Sequence, residues 1–195
     1  MPPRNVAPQQ FQTKMVGNIS AFDGMIAVMN AMTPSNVASD HEALGRRLIA
    51  EVDRSARYRG RLSLMRFDFH GNQGLGLSGD GNATAEAIGV ILRPSDTVAP
   101  LGGCRFCLLA PESSLDTCPL IARRIWHWAH DELPVPPGET RPLLSFGVSE
   151  FEGGADSALD LYARAGMALA YAVARGGNRV AAVRRGGIMT MEEIR

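Results

Sequence analysis

The chain has 195 residues, is 45% hydrophobic and carries 20 basic against 20 acidic groups. That apolar share suits one ordinary core with a short extension and excludes a wholly disordered chain. The balanced charge argues against DNA as a partner, because bulk duplex binding works by neutralising many phosphates; it leaves room for a small basic pocket.

Residues 1–37 are expected to hold a polar, proline-containing start and then a short amphipathic helix over 15–32. Ile19, Phe22, Ile26 and Met29 stand there at helical spacing. Such a helix cannot bury its stripe alone, so it should pack on the domain or on a second copy, which admits a homodimer. A second helix is expected over 40–58, with Leu44, Leu48, Ile49 and Val52 on one face. Arg46, Arg47, Arg54 and Arg57 lie mostly off that face, and Gly60 stops it. Residues 62–69 read as a strand, and 70–82, with Gly71, Gly74, Gly76, Gly79 and Gly81, as a loop. A helix over 84–92 ends at Pro94.

Two strands follow, 96–99 and 105–109, with Gly102-Gly103 as the hairpin signal between them. Then come a helix over 114–130, a proline loop, a strand over 143–149, a strong helix over 156–174 and a last strand over 179–183. Residues 184–195 read as a short polar tail. The order α-α-β-α-β-β-α-β-α-β predicts an α+β domain over 38–183. It is of the palm or ferredoxin-like kind, with a mainly antiparallel central sheet and flanking helices.

Three cysteines cannot all pair within one chain, no 18-residue apolar run marks a membrane span, and Met1-Pro2-Pro3-Arg4-Asn5 lacks a signal peptide's apolar stretch. The expectation is a reduced, cytoplasmic, soluble protein. Cys104 and Cys107 form a C-x-x-C, with Cys118, His127 and His130 further on, which invites a zinc reading. Strand residues three apart face opposite sides, which argues against it, and no metal is expected. Trp126 and Trp128 are two apart on a helix and cannot share a face; one is expected in the core and the other exposed to a partner.

Five segments carry a family resemblance. They are 55–64 at the end of a helix and start of a strand, Asp68, residues 95–103 leading into the hairpin, 144–149 (L-S-F-G-V-S), and 160–180 with Ala165, Ala168, Tyr171, Gly177, Asn178 and Val180. In this order they resemble the GGDEF, or diguanylate cyclase, domain. Members that make cyclic di-GMP from two GTP carry GG(D/E)EF on the hairpin. Here it reads Gly102-Gly103-Cys104-Arg105-Phe106. The family's F-K-x-x-N-D stretch is Asn72-Gln73-Gly74-Leu75-Gly76-Leu77, and its L-T-G-L-x-N-R opening is missing from residues 33–47.

The resemblance places a former active site at Asp68, Gly102, Gly103, Cys104, Arg105 and Phe106. Phosphoryl transfer needs Mg²⁺ on hard oxygen ligands. Asp68 supplies one carboxylate, Cys104 a soft thiol and Arg105 a cation, so no enzyme activity is expected. The resemblance also implies a ligand site. The family's inhibitory R-x-x-D precedes the hairpin, and Arg93-Pro94-Ser95-Asp96 has that pattern at the family's spacing. A guanidinium grips a guanine edge or a phosphate, and a carboxylate accepts from guanine N1 and N2, without metal. In the family an arginine on the helix after the hairpin completes the site. Arg123 and Arg124 stand there, and Arg124 fits better; a neighbouring domain adds one at Arg54 or Arg57. The expected function is that of a cyclic di-GMP receptor, with no other cofactor, relaying to a signalling protein partner. The alternative is a nucleotide-independent scaffold built on the same fold.

Overall fold

Strand β1 (Leu62–His70) alternates its side chains between two apolar layers, and the rest of the molecule is arranged around that alternation. The computed structural model describes residues 38–70, 81–133, 135, 137–138, 140–154, 156–184 and 186–194. The expected helix over 15–32 lies outside them, as does most of the expected loop over 70–82.

In chain order the elements are α1 (Ala38–Tyr58), β1, α2 (Asn82–Ile91), β2 (Thr97–Pro100), β3 (Arg105–Pro111), α3 (Cys118–Asp131), β4 (Leu143–Glu150), α4 (Ala158–Ala174), β5 (Arg179–Arg184) and β6 (Gly187–Glu193). The strands form one sheet in the order β2-β3-β1-β4-β5-β6. Every pairing is antiparallel except β4 with β5, which α4 joins as a crossover. This is the expected α+β architecture with one further strand. The residues read as a polar tail supply β6, and Ile194 beyond it is 2% exposed in the core. Glu192 on β6 also pairs with Arg123 on α3.

One face of the sheet carries Met65, Phe67, Phe106, Phe146 and Val148 and is covered by α2 and α3 through Ile88, Ala122 and Ile125. Phe67 stacks on Phe106 and Phe146 at centroid distances of 5.3 and 5.4 Å. Each such pair adds about 0.5–1.5 kcal/mol beyond area burial. The other face carries Leu62, Leu64, Cys107 and Leu109 under α1 and α4. Here Arg66 lies under α4, its guanidinium 4.4 Å from the centroid of the Tyr162 ring. Arg66 is 7% exposed, so the ring face replaces water around the buried cation.

Helix starts follow local chemistry. Ser157 Oγ accepts from Asp160 N, and Asp160 Oδ2 accepts from Ser157 N, each at 3.1 Å. That box starts α4 at Ala158, two residues after the expected start. Asp156 is committed elsewhere, in a paired contact with Arg164 at 2.6 and 2.8 Å. Ser114 and Thr117 close a turn on each other, so α3 begins at Cys118 rather than at Ser114.

Candidate functional site

The R-x-x-D segment is a tight turn between α2 and β2. Asp96 N donates to Arg93 O at 2.9 Å, and Arg93 N donates to Asp96 Oδ2 at 3.1 Å. Pro94 sits at the second position of that turn, where its fixed φ is favoured. The turn is thus closed twice, by main chain and by side chain, with Arg93 and Asp96 at its two ends. The Arg93 guanidinium is exposed, and no ion pair to it forms among the described residues. Arg93 and Asp96 are therefore joined through a backbone amide, not as a surface ion pair. Asp96 Oδ1 is enclosed and has no hydrogen-bond partner among the described residues.

The two arginines on α3 divide. Arg123 is held by Glu192, whereas Arg124 Nη1 donates to Ile91 O at 3.1 Å. That carbonyl ends α2, two residues before Arg93, so Arg124 is anchored beside the turn. Arg54 lies on α1 with Glu51, Nη1 to Oε2 3.8 Å, in a hollow of about 390 Å³ with Tyr58, Arg61 and Glu112. Asp96 lines a different cleft of about 650 Å³ between α1, α2 and β2. Arg47, Asn82 and Glu86 also line this cleft, which the sequence reading did not single out. Arg47 comes from α1, and Asn82 and Glu86 stand four apart on α2, with no sequence spacing that links the two helices. Gly81, whose added Cβ would meet Pro100 at 2.8 Å, marks its tight corner.

At the hairpin, Arg105 stands directly opposite Asp68 in the β1–β3 register. Gly102 and Gly103 turn it with φ of 84° and 62°, which favours glycine. Phe106 is fully buried between Phe67 and Phe69 in the aromatic layer. Opposite charges on facing strand positions invite an ion pair between Asp68 and Arg105. It does not close within 4.0 Å, because Arg105 Nε is turned back to Gly102 O at 3.3 Å. Burial instead raises the Asp68 carboxyl above its ordinary value, and the nearby His70, Arg105 and Arg66, which pull it down, do not cancel that.

A raised native pKa means that the protonated form is the one the fold prefers. Its stabilising contribution is complete below the unfolded-state pKa and is lost as pH rises through the native one. Asp68→Asn is therefore expected to raise Tm at pH 7, by about 2–4 °C if the gain is ~1 kcal/mol in a domain of this size. The gain should vanish below pH ~4. A lower Tm at pH 7, found by calorimetry, would mean that the carboxylate is a structural ion-pair partner after all.

The cysteines do not converge. Cys104 packs against the α2/α3 layer, and Cys107 is buried on the α1/α4 face, so the C-x-x-C is split by the sheet. Burial pushes the Cys107 and Cys118 thiols up to about 12 and raises Cys104 as well. No cluster of three or more metal-ligating side chains forms among the described residues. The tryptophans also depart from expectation: both are half-buried against the core. They stand on the two flanks of the buried stripe of Cys118, Ala122, Ile125 and Ala129, and Trp126 stacks on His130 at 3.6 Å.

No family model and no curated protein matches the sequence. Solved structures do match its fold. The GGDEF domain of DgcB from Caulobacter crescentus, solved in complex with c-di-GMP, is 20% identical with a TM-score of 0.60, over 72% of this chain and 88% of that one. The active GGEEF domain of a diguanylate cyclase from Vibrio cholerae is 22% identical with a TM-score of 0.59, over 72% and 94%. The diguanylate cyclase SiaD from Pseudomonas aeruginosa, solved with its activator SiaC, is 21% identical with a TM-score of 0.60, over 90% and 73%. No helix among the described residues is long and apolar enough to cross a membrane. The six-stranded mixed sheet between two helical layers, with its glycine hairpin joining β2 to β3, is the fold of a GGDEF domain.

Proposed function

We propose that the protein is a catalytically inactive GGDEF-type domain that binds cyclic di-GMP at Arg93, Asp96 and Arg124 and relays its presence to a signalling protein. The observation that carries this is the doubly closed turn at Arg93–Asp96 with Arg124 fixed beside it on the Ile91 carbonyl. It holds two arginines and one carboxylate at neighbouring backbone positions at little ordering cost. A guanidinium fork suits the O6/N7 edge of guanine or a phosphate oxygen pair. Asp96 Oδ2, which accepts from Arg93 N, keeps a further lone pair for guanine N1 or N2, while Oδ1 is enclosed. No metal enters this scheme. Arg54 of a second domain would complete the site when the ligand bridges two copies.

The relay follows from what surrounds the site. Val90 on α2 is 86% exposed and Leu120 on α3 is 63% exposed. Leu120 lies one helical turn from Arg124, and Val90 precedes Ile91, so an apolar rim flanks the arginines. A partner seated on that rim would feel the ligand through differential affinity for the free and occupied surfaces.

Calorimetric titration of cyclic di-GMP into the full chain tests the reading. Low-micromolar binding, about −8 kcal/mol, is expected. Absence of heat and of thermal shift at millimolar ligand would leave the nucleotide-independent scaffold in its place. Incubation with GTP and Mg²⁺ is expected to give no cyclic di-GMP above a protein-free blank. Arg105 puts a cation, and Cys104 a protonated thiol, where hard anionic ligands are needed. Product that grows with protein concentration would refute the inactivity.

A further inference from the structure

The two edges of the sheet are finished differently. At one end of the strand order stands β2, four residues long, closed by Pro100 and lining the cleft between α1 and α2. A short strand, a proline and flanking helices are devices that stop an edge from pairing. At the other end stands β6, seven residues long, or about 24 Å at ~3.4 Å per residue. It holds no proline and no lysine. Along one side it pairs with β5 from Gly187 to Glu193, and on the other no strand stands beyond it among the described residues.

β6 is also held in place. Its start is fixed by the turn from β5, where Arg184 pairs with Gly187. Its end is fixed by Ile194, which is 2% exposed and donates its N–H to Asn178 O at 2.8 Å. Gly187, Glu192 and Glu193 are exposed. The ladder slips once, where Met189 is inserted opposite the step from Ala182 to Val183. That bulge bends the strand, but it adds no charge and removes no amide donor. About half of the backbone N–H and C=O groups of an edge strand point away from its neighbour, so β6 is a preformed row of donors and acceptors.

We propose that β6 is a self-association edge, on which β6 of a second copy of this chain pairs antiparallel about a twofold axis at Thr190. Charge selects that partner and that direction. Glu192 and Glu193 are the only charged residues of β6, and both stand at its end. Antiparallel pairing centred on Thr190 sets Glu193 against Gly187 of the second copy and Glu192 against its Ile188, so no two carboxylates face each other. Parallel pairing in register would set each glutamate against its own counterpart. Closure selects it too. The twofold pairing joins two six-stranded sheets and uses both open edges at once. The outer edges are then the two blocked β2 strands, so assembly stops at the dimer. A foreign extended segment would meet the same hydrogen bonds, but it would draw on neither the charge placement nor the blocked β2.

The pairing needs no nucleotide, so it is separate from a ligand bridge through Arg54, and it is tested without ligand. Light scattering of the full chain should show a monomer passing into a dimer between about 5 and 500 µM, the range of a small interface. Over that range, hydrogen exchange of the 187–193 amides should slow about tenfold or more while β1 and β4 amides stay unchanged. Thr190→Cys should give a covalent dimer on mild oxidation. Facing residues of an antiparallel pair have Cα atoms about 4.5–5.5 Å apart, within disulfide reach. Gly186→Cys, which the same register places about 27 Å from its counterpart, should not cross-link. Wild type, with Cys104 half-buried, is the blank. A monomer throughout the range would overturn the proposal. So would a dimer whose β6 amides exchange at the monomer rate, which would move the interface elsewhere. Protection of β6 that does not change with concentration would overturn it as well, and would mean that the chain covers its own edge. Cross-linking of Gly186→Cys as complete as that of Thr190→Cys would overturn the antiparallel register.

Discussion

Gly147→Ala is expected to abolish cooperative folding or to lower Tm by roughly 8–16 °C, the equivalent of about 4 kcal/mol or more in a domain of this size. Gly147 lies mid-strand in β4, paired with Arg66 on one side and Ala181 on the other. A Cβ added there would stand 2.0 Å from Leu169 N and 2.2 Å from Ala165 O. Both atoms belong to the α4 backbone, so no side-chain rotation relieves the clash. The helix would have to lift, and Leu161, Ala165, Ala168 and Ala172 would lose their seat. Total stability of a domain is commonly about 5–15 kcal/mol, so the change removes much of it.

Gly166→Ala is the matched comparison. Its Cβ would meet Arg66 Nη1 at 2.4 Å, but that is the tip of a long side chain and can shift. The roughly 1 kcal/mol helical gain of alanine over glycine offsets part of the cost. Urea unfolding should therefore separate the two variants widely. A Gly147→Ala midpoint indistinguishable from wild type would show that α4 does not rest on β4 backbone.

The same contrast between backbone and side-chain geometry explains what could be read from the sequence. Element order was legible because each strand and helix carries its own periodicity: Leu44, Leu48 and Val52 at helical spacing, Leu62 and Leu64 on one side of β1 with Met65 and Phe67 on the other. The hairpin was legible because Gly102 and Gly103 adopt positive φ. The turn at Arg93–Asp96 was legible as a pattern, and Pro94 belongs in it by its fixed φ.

β6 was not legible. Residues 187–193 end in two glutamates and have little local reason to be extended. They become a strand because β5 offers an unpaired edge, and Ile194 N finds Asn178 O at 2.8 Å. The placement of Asp68 against Arg105 followed from adjacent strands, but the missing ion pair did not. It depends on where Arg105 Nε turns within a tight hairpin. Arg66 under Tyr162 and the cleft of Arg47, Glu86 and Asp96 are long-range juxtapositions that no local pattern carries.

Arg93→Ala is expected to weaken cyclic di-GMP binding by about thirtyfold to 150-fold, the loss of ~2–3 kcal/mol that a well-made bidentate contact provides. The fold should not notice, since Arg93 is exposed and its backbone amide, which closes the turn onto Asp96, is untouched. Arg93→Lys keeps the charge but not the fork. If Arg93 reads a guanine edge, lysine should restore little; if it holds a phosphate, lysine should restore most of the affinity.

Asp96→Asn preserves an acceptor for Arg93 N, so its effect would report the ligand contact rather than collapse of the turn. Arg124→Ala should weaken binding as well, and Arg123→Ala should not, because Arg123 is already engaged with Glu192. Arg54→Ala should matter only when ligand bridges two domains, and hence only at protein concentrations where light scattering detects the pair. Equal affinity of wild type and Arg93→Ala would remove the turn from the site. The cleft between α1 and α2 would then be the next place to look, with Glu86→Gln as its probe.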